Sequence, residues 1–221
     1  MKFAKALILS TLVCGTAISN PLQAGNQITA GLQAVDVMHK GEAVTITRID
    51  DKEATMPKAF AKVGRHCPPF CVQPIAIAPG VETVGELEVL GYLKRIANGD
   101  RTILVVDSRT PEWIIRGTIP GSVNIPWNKI NIDVQGTFEI AAEADTLSEI
   151  LQNQFGANLI DGNWDFRNAK TLVLYCNGTW CPQSGINIKT LLQLGYPAYK
   201  LKWYRGGMQD WVAVGLTTVN H

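Results

Sequence analysis

The sequence has almost no excess of charge. Its 20 lysines and arginines stand against 19 acidic residues, a formal net charge of +1 over 221 residues. Without a basic surplus there is no electrostatic footprint for a nucleic acid. Long apolar runs are scarce, and only the first segment is apolar enough to enter a membrane. Internal repeats and low-complexity tracts are missing as well. The composition, 46% hydrophobic and 18% charged, excludes a disordered, collagen-like or coiled-coil chain. The length suits one domain, or one domain with an extension.

The N-terminus has the three-part layout of a secretory signal. Lys2 and Lys5 form a positive start, an apolar run follows from Ala6 to Ile18, and small Ala24 is suited to precede a cut. The run is shorter than the about 20 residues a spanning helix needs. A buried N-terminal helix is the alternative, but nothing upstream could cover it. Cys14 is not preceded by a lipobox. The expectation is a signal peptide over 1–24, a mature chain starting at Gly25, a periplasmic location, and contact with the membrane through the signal alone.

Cysteines are few: five in all, of which Cys14 leaves with the signal. The rest form two close pairs, Cys67 with Cys71 and Cys176 with Cys181, in a chain bound for an oxidising compartment. Disulfides are the plain reading of both.

Residues 25–79 read as an extension packed on the main domain. It holds an alternating strand from Ala43 to Arg48, a charged turn at Asp50 to Glu53, and a stretch with Pro57, Pro68, Pro69, Pro74 and Pro79 that disfavours helix. From residue 80 to 216 the pattern is regular. Thr83, with Glu86 three residues on, predicts a capping box for a helix ended by Asn98 and Gly99. Continuous apolar runs at Thr102 to Val106 and Thr171 to Tyr175 predict buried strands, and Gly121 to Ile125 a shorter one closed by Pro126. Helices are expected over Ala142 to Phe155 and about Pro182 to Leu194. A last strand from Tyr199 to Tyr204 turns at Gly206 and Gly207 into a helix near Gln209 to Val214. Alternating strands and helices mean an α/β fold, an open parallel sheet with helices on its faces.

The chemistry concentrates at one place. Cys176 ends a predicted buried strand and a helix starts just beyond it, the position where ligands bind in open α/β sheets. A helix N-terminus lowers a nearby thiol's pKa. Backbone groups of the loop could be aimed at the sulfur or at an attached anion. The geometry predicts an activated nucleophile; an inert buried cysteine is the alternative.

The segments from Val106 through Asp107, Arg109 and Trp113, and from Arg116 to Pro126, resemble the rhodanese pattern of Asp-x-Arg followed by Gly-His-Ile-Pro-Gly-Ala. The strand up to Cys176 is similar to that bearing the family's catalytic cysteine. Leu194 to Tyr196, Tyr204 to Gly207, and Trp211 resemble its Gly-Tyr, Gly-Gly and Trp finish. The resemblance covers about 80–216. It implies a rhodanese-like sulfurtransferase in which Cys176 takes sulfane sulfur from thiosulfate, a polysulfide or a persulfide. Cys176 holds it as a persulfide and hands it to a thiol acceptor, with no cofactor. Asn177, Gly178, Thr179, Trp180, Pro182, Gln183 and Ser184 would then form the substrate-binding cradle.

Two positions depart from the family. Thr118 stands where it has histidine and reads as a surface detail. The active loop reaches Cys181 where a basic residue is usual and runs about two residues longer. Without arginine or lysine it is a poorer site for the thiosulfate dianion, and Trp180 offers an apolar wall instead. Cys181, beside Pro182 at the helix start, could attack a persulfide on Cys176, release sulfide and leave a disulfide. That opens the alternatives of a sulfur reductase or thiol–disulfide oxidoreductase served by a redox partner protein. A static loop disulfide would be purely structural.

Cys67 and Cys71 flank Pro68 and Pro69, so they cannot share a helix turn, and a disulfide clasping the loop is expected. A redox relay to the second pair and a metal-binding module using His66 with the four thiols are further readings, and a non-catalytic sulfur carrier is another. The spacing matches no zinc signature, so no metal ligands are assigned. The Asp161 to Asp165 segment lacks the glycine and closing glutamate of a calcium loop. His39 and His221 have no evident partners, and Asp107 with Arg109 is expected as an ion pair fixing a strand end.

Overall fold

The computed structural model describes residues 26–131 and 147–220. The predicted signal peptide, the start of the Ala142 helix and His221 lie outside the described residues.

The extension opens with a hairpin, β1 (Val35–His39) and β2 (Glu42–Ile46), paired antiparallel across Lys40 and Gly41, which both have positive φ. That two-residue turn matches the strand twist, and Gly41 meets the requirement without strain. Strand β2 overlaps the run expected from Ala43 to Arg48, and β1 is additional to it, with Val35, Val37 and His39 alternating and buried. One helical turn, α1 (Lys58–Ala61), follows Pro57, so the proline-rich stretch is not free of helix. Pro57 sits before the turn, where its missing N–H costs nothing.

The main sheet has five parallel strands: β3 (Glu82–Val84), β4 (Ile103–Asp107), β5 (Val123–Asn124), β8 (Thr171–Tyr175) and β9 (Leu201–Tyr204). Their order is β3-β9-β8-β4-β5. A small hairpin, β6 (Asn158–Ile160) with β7 (Asn163–Asp165), occupies the segment with the faint calcium-loop pattern. Asp161 and Gly162 make its turn, and Asp165 pairs with Arg167. The helices in chain order are α2 (Glu86–Ala97), α3 (Pro111–Ile114), α4 (Trp127–Ile130), α5 (Leu147–Glu149), which runs on into a π-helical turn at Ile150–Gln154, α6 (Gln183–Gln193) and α7 (Gly207–Ala213).

Period-two alternation divides β8 between two cores. Val173 and Tyr175 join Val89, Leu90 and Leu93 of α2 and Trp211 of α7 on one face. Leu172 and Leu174 join Ile150, Leu151, Ile188 and Leu191 on the other. Helices thus cover both faces, which is why β8 reads as an unbroken apolar run. Val35, Val37, Ile46 and Phe60 of the extension belong to the first of these cores.

The capping expectation at Thr83 is displaced by two residues. Thr83 is in β3 and its hydroxyl donates to the Ile75 carbonyl. The helix starts after Gly85, whose N–H donates to Glu88 Oε2 at 2.9 Å. Edge pairing of β3 with β9 took Thr83 out of reach of the helix end.

Candidate active site

Cys176 follows directly on β8, between β4 and β9 at the carboxyl end of the sheet. The loop 177–182 leads into α6, with Pro182 at its cap rather than at the first helical position. Cys176 and Cys181 are joined as a disulfide, Cα atoms 6.1 Å apart, and each is 2% exposed. Gln183 Oε1 lies 3.3 Å from Cys176 Sγ and 3.7 Å from Cys181 Sγ, placed to accept a hydrogen bond from either thiol once the bond is reduced.

The turn after β9 holds the loop from below. Met208 N–H donates to the Cys176 carbonyl at 3.0 Å and Gln209 N–H to the Asn177 carbonyl at 2.9 Å. Gly207 has φ +57°, and a Cβ there would run into the Cys176 carbonyl. Gly207→Ala is therefore expected to lose ~1–3 kcal/mol of stability and to push the loop away from the sheet. An unchanged midpoint in urea unfolding would contradict this close approach.

A buried polar network anchors the strand end beneath Cys176. Arg109 and Asp107 have fully buried side chains and form a forked pair, with Nη2 donating to Oδ2 at 2.6 Å and Nε to Oδ1 at 2.9 Å. Burial would pull the guanidinium's pKa down, but the Asp107 carboxylate outweighs it and holds it up. Arg109 also donates to the Gly117 carbonyl, and Nη1 lies 3.4 Å from Asn177 Oδ1 in the active loop. Burial, reinforced by Asp107, pushes the Tyr175 phenol far above its ordinary value, so it stays a donor, to Asp107 Oδ2 at 3.0 Å. Thr118 is no surface detail. It is buried, donates to Asp107 Oδ2 at 2.7 Å and lies 2.7 Å from the Tyr175 hydroxyl. A hydroxyl suits that spot because it must serve carboxylate and phenol together.

The extension covers the other side of the loop. Gln73 N–H donates to the Thr179 carbonyl at 2.8 Å, and Arg205 donates to the Gln73 and Pro74 carbonyls. Trp180 is largely buried, and the part of its ring left open lines a cleft beside the loop. Its Nε1 donates to Gln209 Oε1 at 2.6 Å, Phe70 meets it edge-on at 5.6 Å, and the Arg65 guanidinium lies 4.0 Å over its ring. Gln209 in turn donates to the Phe60 carbonyl, tying the terminal helix to α1. So a loop without a basic residue of its own receives one from 115 positions earlier. Burial lowers the Arg65 pKa, and among the described residues no carboxylate offsets that cost.

Of the predicted cradle, Asn177, Gly178, Thr179 and Trp180 surround the cysteines, and Gln183 faces both sulfurs. Ser184 turns inward and accepts from Trp203 Nε1 at 3.0 Å, so it supports the helix start instead. Arg65, Phe70, Gln73 and Gln209 were not foreseen. Only Gln209 had a local signal, its place two residues after the Gly-Gly turn.

Cys67 and Cys71 are also joined, Cα atoms 4.6 Å apart. With all four cysteines paired, the thiols that a metal site at His66 would use are engaged. Among the described residues, no three His, Cys, Asp or Glu side chains converge as metal ligands. His39 is not isolated, since Gly121 N–H donates to its Nδ1 at 3.2 Å. No helix among the described residues is long and apolar enough to cross a membrane.

A family model described as the rhodanese-like domain matches residues 90–214. No curated protein matches. Among solved structures, the chain is similar to a Bacillus halodurans protein at 22% identity, covering 59% of this chain and 70% of that one, with a TM-score of 0.36. It is similar to a rhodanese with anions from E. coli at 21% identity, 53% and 99% coverage, TM-score 0.32. A human single-domain sulfurtransferase is 20% identical over 60% and 96% of the chains, TM-score 0.34.

Proposed function

The chain belongs to the rhodanese-like domain family, and on that premise, which supports sulfur transfer in general, we propose that it moves sulfane sulfur through a persulfide on Cys176. The single observation behind this reading is the placement of Cys176 at the carboxyl end of β8, ahead of the N-terminus of α6. Partial positive charge there favours a thiolate.

A dithiol reduces the Cys176–Cys181 disulfide by two successive exchanges through a mixed disulfide, leaving two protein thiols and the donor as its own disulfide. The Cys176 thiolate attacks the outer sulfur of thiosulfate, a polysulfide or a persulfide. The donor's sulfur–sulfur bond breaks, and the remainder leaves with the electron pair as sulfite or a thiolate. An acceptor thiolate then takes the outer sulfur, and the pair returns to Cys176. Asp107, Arg109 and Tyr175 position the strand end, and Gln183 receives the thiol proton's hydrogen bond. In the periplasm, the location proposed from the signal-like N-terminus, a thiol-bearing redox partner must supply the first reduction.

A second reading is favoured by the pairing of Cys181 with Cys176. The Cys181 thiolate attacks the inner sulfur of the persulfide and expels hydrosulfide, regenerating the disulfide. The protein would then act as a sulfur reductase. Cys181→Ser separates the two readings. Under the first, it leaves transfer to an added thiol within about twofold and lengthens the persulfide's life at least ~tenfold by removing the internal attacker. Under the second, hydrosulfide release and turnover collapse together. Persulfide lifetime and sulfide release, measured in the same sample, decide.

A further inference from the structure

Beside Trp180 lies a cleft of about 340 Å³ between α1 and the loop after α3. Its cations are Lys58, Lys62 and Arg65 of the extension and Arg116 of the main domain, and among the described residues no carboxylate lines it. Among the described residues none of the four forms an ion pair. Arg65 Nε is buried and has no hydrogen-bond partner. Phe70, Trp113 and Trp180 supply the rings, with Arg116 stacked 4.6 Å over Trp113 as Arg65 is over Trp180. A crevice too tight to admit water shares Arg65, Trp113 and Trp180 with this cleft and adds Asn177, the chain neighbour of Cys176.

We propose that this cleft binds the acceptor, a small organic thiol carrying two carboxylates, and presents it to the loop of Cys176. Four like charges gathered at one cleft repel each other, and the buried Arg65 Nε, which has no acid beside it among the described residues, is completed by an anionic group from outside the chain. Cations on both walls suit two separated carboxylates. The volume lies in the range of sites for organic ligands, and the aromatic walls suit an apolar body between the charges. An inorganic dianion would leave most of that surface empty.

The acceptor assignment rests on Cys176 carrying the sulfur. The bound thiolate attacks the outer sulfur of the persulfide, the sulfur–sulfur bond breaks, its electron pair returns to Cys176, and the acceptor leaves as its own persulfide. The extension is therefore a specificity element, which the family's loop chemistry does not require.

Binding is tested apart from catalysis, on the full chain, with S-methylglutathione, a thioether that cannot exchange sulfur. Tryptophan fluorescence, with Trp113 and Trp180 in the cleft, reads the titration. The expected result is saturable binding that weakens with ionic strength. The diethyl ester, which has no carboxylate, should bind at least ~tenfold more weakly, and so should Arg116→Gln and the variant of exposed Lys62, Lys62→Gln. Thiosulfate should compete poorly. Equal binding of the ester, or unchanged affinity in both variants, would overturn the proposal. Thiosulfate binding more tightly than the thioether would make this an inorganic anion site and overturn it too. Loss of persulfide chemistry with binding intact would instead count against the role of Cys176.

Discussion

Cys176→Ser is expected to abolish sulfur transfer, lowering the rate by ~10³-fold or more to that of uncatalysed exchange. The reason is chemical before it is structural. Thiolate sulfur is largely available near neutral pH at a helix N-terminus, whereas a serine hydroxyl remains protonated there and forms no stable bond to sulfane sulfur. The change removes one polarisable atom from a site that is 2% exposed, so the fold should persist with little change in thermal midpoint. Cys181 is left with no partner and should become alkylatable under native conditions once the loop breathes. Steady-state transfer from a polysulfide to a thiol measures the effect. Transfer at the wild-type rate in Cys176→Ser would end the proposed function.

Arg109→Met should produce the largest loss of stability, ~3–5 kcal/mol, in urea unfolding. It leaves Asp107 fully buried, with hydroxyl donors from Thr118 and Tyr175 but no counter-charge. Methionine fills much of the volume, so the loss is mainly one of uncompensated charge. Adding Asp107→Asn to Arg109→Met removes that charge, and the double variant should recover part of the stability. If the double variant is less stable by the sum of the two single losses, the pair does not act as a unit. Arg109 also reaches Asn177, so the single variant should raise the mobility of the active loop even below its unfolding temperature.

Much of the sheet was legible because β4 and β8 are buried on both faces, and their continuous apolar runs need no tertiary context. The strand-end cysteine and the following helix were legible for the same reason. What escaped is non-local. Nothing near Arg65 in the chain reveals that its guanidinium stacks on Trp180, because 115 residues separate them and the contact depends on how the extension folds back. Thr118 was misread since a threonine in a loop is ordinarily exposed. Its burial follows from Asp107 and Tyr175 lying on two adjacent strands in register. The start of α2 was misplaced because Thr83 and Gly85 both precede acidic residues by three. Sheet pairing, absent from local pattern, decided between them.

These omissions share a consequence. The loop read by itself is short of positive charge, and that argued against anionic sulfur compounds. With the extension in place, Arg65, Lys58, Lys62 and Arg116 stand beside it. Charge missing from the loop's sequence is restored by packing.

The most direct measurement of the central claim is the mass of the active-loop peptide. The protein is reduced, freed of reductant, treated with polysulfide, blocked with an alkylating agent, and digested under acid. The account predicts one added sulfur atom on the fragment carrying Cys176, located at that residue by fragmentation, with Cys181 alkylated and unmodified by sulfur. Sulfur on Cys181 alone, or on neither cysteine while transfer proceeds, would contradict it.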